Sequence, residues 1–233
     1  RHTKSHNCIT LSGATQPVQS YEARGAVEYA FEDERVAYFR GNADASYRAQ
    51  AERCRRHVMF LKAHACFVMV DEVVGHPGIY SAVEWNIHSW NRFAVDEDAR
   101  RFLLVRGESS LEGHFLFHKE GFFSLGEGWD PPPMRGRDDT QWYPQYHLRF
   151  TPSELTERRN LGVILCPGHR FLDRARVERG GSPSAEVARI GEDLVMVNQA
   201  EVMEYGDIQS DALVILRVQG EQYEIREEGI SAG

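Results

Sequence analysis

The chain has 233 residues, a formal net charge of −8 and a pI near 5.7. That length suffices for one large all-β domain or two small ones, and for a buried core without disulfides or metal. The acidic balance excludes a nucleic-acid binder that works through a broad basic face, and no apolar run reaches the ~20 residues of a membrane helix.

The first thirteen residues carry His2, His6 and Asn7 on a short polar segment that runs into an apolar, strand-like stretch ending at Gly13. No Met and no leader stand ahead of it, so the opening reads as a cut just before a functional strand of a longer chain. In an extended chain His2 and His6 share one face but lie roughly 13 Å apart. They cannot hold one metal unless the chain bends. His6, beside Asn7 and nearer the strand, is the better ligand candidate.

From there the dominant period is two. Residues 26–32, 36–43, 54–62, 65–74 and 79–88 are rich in Val, Phe, Tyr and Ile, which predicts strands. Further strands are expected at 101–107, 114–118, 121–126, 146–150, 160–166, 185–190, 193–198, 200–205, 212–219 and 222–227. Short turn signals such as Gly41-Asn42 and Gly75-His76-Pro77-Gly78 separate them. The pattern predicts an all-β fold over residues 1–233: an antiparallel, multi-stranded β-sandwich of stacked sheets, supersandwich-like, with very little helix. Segments 153–160 and 170–176 have room for a turn or two of helix each. Neither carries the apolar stripe of a core helix.

Residues 127–145 break the rhythm with three consecutive prolines and the aromatics Trp129, Trp142 and Tyr143. A long loop rich in aromatics is either pinned down by its own rings or offers them as flat platforms for sugar stacking. The four cysteines, Cys8, Cys54, Cys66 and Cys166, form no CxxC pair. They read as small buried hydrophobes, with Cys54 and Cys66 on neighbouring strands.

Two further segments carry groups suited to chemistry. In Trp85-Asn86-Ile87-His88-Ser89-Trp90, alternation puts Glu84, Asn86, His88 and Trp90 on one face, with Trp85 and Ile87 on the other. That polar face is either a buried hydrogen-bonded network or a binding surface. Asp44, just past Gly41-Asn42, is either a turn former or a carboxylate for a metal held by His6 and His88. Two His and one Asp from three strands make a Zn²⁺ set with an open fourth position. No nucleophile elbow, phosphate-binding loop, HExxH or dinucleotide fingerprint is present.

Taken in order, several segments resemble the β-sandwich region of the heparinase II/III-like polysaccharide lyases. They are Ser5-His6-Asn7-Cys8-Ile9-Thr10-Leu11-Ser12-Gly13 with Gln16 and Gly25, then Gly41-Asn42-Ala43-Asp44-Ala45-Ser46-Tyr47 and the run from Arg53 to Phe60. The series continues with Phe67 to Glu72, Trp85-Asn86-Ile87-His88, Val163 to Pro167 and Ser210 to Val214, and is thin between residues 92 and 157.

The resemblance implies a C-terminal sandwich that normally follows an N-terminal α/α toroid, absent from this sequence. The sugar chain lies between the two, and uronic-acid polysaccharide is cleaved by β-elimination. That reaction removes the C5 proton beside the carboxylate and expels the 4-linked oxygen, so it needs a carboxylate neutraliser, a base and an acid. By the resemblance the toroid supplies most of these groups, and His6-Asn7 matches the sandwich's contribution. Zinc, held in some members, maps onto His6, Asp44 and His88, leaving open whether His6 serves catalysis or metal. Trp85, Trp129, Trp142 and Tyr143 are the expected substrate-binding aromatics. The implied partners are an acidic polysaccharide and the toroid, with no nucleic acid and no membrane span. A periplasmic or secreted location follows from family habit. The competing expectation is a non-catalytic carbohydrate-binding sandwich that uses the aromatic loop.

Overall fold

The computed structural model describes the chain except residues 1, 18–19, 118, 130–144 and 170–174. After one 3₁₀ turn at Thr3–Ser5 come β1 (Ile9–Leu11), β2 (Ala26–Glu32) and β3 (Val36–Asn42). A single helical turn, α1 (Asp44–Tyr47), precedes β4 (Ala51–Leu61), β5 (Cys66–Gly75) and β6 (Val83–Ser89). Next are β7 (Phe93–Asp96), β8 (Arg101–Arg106), β9 (Ser109–Leu116) and β10 (Gly121–Glu127). The second half holds β11 (Tyr146–Pro152), β12 (Arg158–His169), β13 (Val177–Ser182), β14 (Ala185–Ile190) and β15 (Asp193–Asn198). It closes with β16 (Met203–Tyr205), β17 (Ile208–Ser210), β18 (Val214–Val218), β19 (Glu221–Arg226) and β20 (Gly229–Ala232).

All named pairings are antiparallel. Three sheets stack. An eight-stranded sheet in the order β2-β3-β4-β5-β12-β9-β8-β7 lies in the middle. A four-stranded sheet, β1-β6-β11-β10, covers one face, and a six-stranded sheet, β13-β14-β15-β18-β19-β20, covers the other. The alternation of strand side chains explains how one sheet serves two cores. On β12, Leu161 and Val163 pack toward the four-stranded sheet, while Ile164 and Cys166 pack toward the six-stranded one. On β5, Cys66, Val68 and Val70 join the second core and Val73 the first. Gly162 leaves room for its neighbours: a Cβ there would lie 3.2 Å from both Leu116 and Val197. The β16–β17 hairpin covers a third, smaller apolar cluster around Met196, Met203 and Ile215.

The all-β stacked architecture is as expected, and the differences are local. Segment 153–160 is not helical: Thr156 bridges to Ser81 and Arg158 already begins β12. Of 170–176, only Ala175 and Arg176 lie within the described residues, and neither is helical. The helical turn instead follows Asn42. The strands β7, β13, β17 and β20 were not expected. They are short, and β13 (Val-Glu-Arg-Gly-Gly-Ser) has no apolar alternation to reveal it, since as an edge strand it is held through backbone pairing to β14. Cys54 and Cys66 do lie on the adjacent strands β4 and β5, and no cysteine among the described residues is in a disulfide.

Candidate functional site

The outward face of the four-stranded sheet gathers the polar side chains that alternation places opposite the core. The β6–β11 register sets His88 against His147 and Asn86 against Arg149. The β1–β6 register sets Thr10 against Glu84. The result is one connected network. Thr10 Oγ1 donates to Glu84 Oε2, which also accepts the Gly13 N–H at 2.9 Å. Gly13 reaches this position through a left-handed turn, with φ at +73°. Arg149 Nη1 lies 3.3 Å from Glu84 Oε1. Asn86 Nδ2 donates to the Cys8 carbonyl at 3.0 Å, and His147 Nε2 donates to Asn86 Oδ1 at 2.8 Å.

His6 and Asn7 cross the open end of this network, both exposed. The segment ahead of them is not extended. Ser5 N–H donates to the His2 carbonyl at 3.0 Å and His6 N–H to the Thr3 carbonyl at 3.1 Å, so the chain turns there. His2 goes elsewhere, its ring nitrogen 3.2 Å from Thr15 Oγ1. Asn7 is held on both sides. Its Oδ1 accepts the His88 backbone N–H at 2.8 Å and lies 3.3 Å from the His88 ring nitrogen Nδ1. Its backbone carbonyl accepts Arg56 Nη1 at 3.0 Å. Arg56 is itself fixed by a two-point pair with the buried Asp71, at 2.7 and 2.9 Å, on the facing middle sheet.

The His88 and His147 rings stack, with centroids 4.2 Å apart and planes 10° from parallel. Burial lowers the His88 pKa below its ordinary value. The neighbouring His6 lowers it further, against a hydrogen bond to the Lys4 carbonyl. A protonated imidazole is therefore disfavoured at His88. Beside the stacked pair lies a cavity of about 180 Å³ whose lining includes Glu127, Gly128, Gln145 and Arg149.

The expected zinc set is not assembled. Asp44 serves α1 instead: its Oδ1 accepts the Cys54 N–H at 2.7 Å, and its Oδ2 lies 3.1 Å from Asn42 Nδ2 and 3.5 Å from Arg55 Nη2. That lock places Tyr47, whose hydroxyl donates to the Ile9 carbonyl at 2.6 Å and so holds β1 beside the site. Among the described residues no group of three His, Cys, Asp or Glu is placed to hold a metal ion. The residues do not fit zinc through Asp44.

Trp85, expected to bind substrate, lies in the core instead. It is 3% exposed and packs edge-on against Phe115 at 5.3 Å in the core, so it presents no surface to a sugar. The period-two alternation that faces Glu84, Asn86 and His88 outward turns Trp85 inward. Trp129 follows the cavity residue Gly128 and is half-buried, whereas Trp142 and Tyr143 lie outside the described residues. Sequence reasoning missed His147, Arg149 and Arg56. His147 shares a strand face with Arg149, but nothing local announces that this face meets His88.

The whole chain superposes on heparan sulfate lyase HepC from Pedobacter heparinus with a TM-score of 0.62 at 12% identity, covering 31% of that chain. It superposes likewise on a heparinase III gene product with a TM-score of 0.63 at 15% identity, covering 30% of that chain. The fold is heparinase III-like. This chain thus spans about three tenths of the length of the solved lyases that it matches. No family model and no curated protein matches the sequence. Within the heparinase III-like fold, His6 and Asn7 precede β1 and meet the His88–His147 pair. Among the described residues no helix is long and apolar enough to cross a membrane.

Proposed function

We propose that this chain is the β-sandwich part of a polysaccharide lyase acting on uronic-acid-containing polysaccharide by β-elimination, with an α/α toroid as the partner that completes the cleft. The observation that supports this reading is the mounting of Asn7. His88 occupies its Oδ1 and Arg56 its carbonyl, while its Nδ2 group donates to none of the described residues. An amide held in that way donates to a uronate carboxylate and stabilises the charge that builds there as the C5 proton leaves. His6, exposed and adjacent, is the proton-transfer group. His88 acts through Asn7 and is a positioning residue. Zinc has no step in this scheme.

The test is nuclear magnetic resonance of the 233-residue chain titrated with heparan sulfate and alginate oligosaccharides. Perturbation of the His6 and His88 ring resonances by one of them, reduced at least tenfold in affinity by Asn7→Ala, is the expected result. The chain alone should release little or no unsaturated uronate, followed by its ultraviolet absorbance, because most of the required groups belong to the toroid. Shifts confined to the neighbourhood of Trp129, with both histidines unmoved, would instead establish a non-catalytic carbohydrate-binding sandwich and sink the lyase reading.

A further inference from the structure

Cys66 opens β5 and Cys166 lies near the end of β12, the two central strands of the eight-stranded sheet. Their register pairs Leu165 with Phe67, so one more step along the antiparallel ladder sets Cys166 directly opposite Cys66. Directly opposed residues in such a ladder have Cα atoms ~4.5–5.5 Å apart, inside the ~4.4–6.8 Å window of a disulfide. Both side chains are fully buried in the core between the eight- and six-stranded sheets. Their Sγ atoms stand 2.8 Å apart, within about 0.8 Å of a covalent S–S bond. The other two cysteines are placed differently. Cys8 Sγ donates to the Thr3 carbonyl at 3.2 Å, and Cys54 is buried in the opposite core.

We propose that Cys66 and Cys166 are a covalent modification site, forming a disulfide that ties β5 to β12. The oxidant is a disulfide donor of the oxidised-glutathione class. One cysteine thiolate attacks the donor and releases one reduced thiol. The second attacks the resulting mixed disulfide and releases another, so two thiol protons and two electrons pass to the donor. Burial keeps the donor from the folded core, which places the exchange during folding or local opening of the sheet. The bond spans 100 positions of sequence, so it constrains the unfolded chain strongly and the folded sheet hardly at all.

The experiment is to refold the 233-residue chain in a glutathione redox buffer, then alkylate it in denaturant without reduction. Two alkyl groups instead of four, and a tryptic cross-link joining Cys66 to Cys166, are expected. The oxidised chain should melt roughly 5–15 °C above the reduced one. A Cys8→Ser/Cys54→Ser chain should keep both the cross-link and the difference. Cys66→Ala and Cys166→Ala should each abolish the difference, whatever their own melting temperature. Four alkylated cysteines, a cross-link through Cys8 or Cys54, or equal Tm in the two redox states would overturn the proposal.

Discussion

Side chains with similar prospects in the sequence turn out to do different work. Asp44 and His88 stood equal as metal ligands, yet Asp44 accepts hydrogen bonds that fasten α1 to β4, while His88 supports Asn7. The depressed pKa of His88 can be read directly. Its ring should titrate with a midpoint below the ordinary ~6.5 in a proton NMR titration. His6→Ala should raise that midpoint only part of the way, because burial, the larger cause, remains. The sign for stability follows from linkage. The unfolded histidine takes up its proton first, so this contribution is complete above ~6.5 and is lost as pH falls through the folded midpoint. A midpoint at or above the ordinary value would contradict the burial argument. His6 and Asn7 were legible because they adjoin a strand that the sequence marks. His147 was not, since its value comes entirely from stacking on a residue 59 positions earlier.

Strands announce themselves by alternation, but their partners do not. The 101–107 and 114–118 segments were foreseen. That Phe102 would pair with Gly113 was not. The pairing explains the glycine. A Cβ at Gly113 would lie 2.1 Å from the Phe102 ring, and that ring is fully buried among Trp85, Phe93 and Phe115. Gly113→Ala should therefore cost about 1–3 kcal/mol in a urea melt, through displacement of Phe102. Its near-ultraviolet circular dichroism should change with the surroundings of Trp85. A loss under about 0.5 kcal/mol would show that the ring relocates freely, contrary to close packing of this core. Short edge strands such as β20 were invisible for the opposite reason, since backbone pairing to β19 holds them with little sequence signature.

At the scale of the whole molecule, the six-stranded sheet meets the middle sheet through polar contacts as well as the shared core. Arg40 Nη1 donates to the Glu227 carbonyl at 2.6 Å, and Arg53 joins Glu227 to the buried Glu72. Burial opposes ionisation of Glu72, but the His57 ring, 3.6 Å away, and the hydrogen-bonded Arg53 guanidinium outweigh it and hold its pKa at about 2. Against an ordinary value of 4.5, the shift is worth about 3 kcal/mol. Because the folded pKa is depressed, that stability is present above about 4.5 and is lost as pH falls toward 2. Urea midpoints measured down this window should fall steeply in the natural chain and more gently in Glu72→Gln. Parallel slopes would show that Glu72 takes no part in acid unfolding.

The sequence by itself determined an all-β chain, the two faces of the strand that carries Glu84, Trp85, Asn86, Ile87 and His88, and the candidacy of His6 and Asn7. These depend on side-chain alternation and local motif, which a strand carries wherever it is placed. Tertiary structure decided that three sheets stack, that His147 and Arg149 join His88 and Asn86, and that Asp44 is spent on α1. Those outcomes depend on register between strands far apart in sequence. A register shift of one residue would turn every one of these side chains to the other face, and only the packing of both cores selects which register is kept.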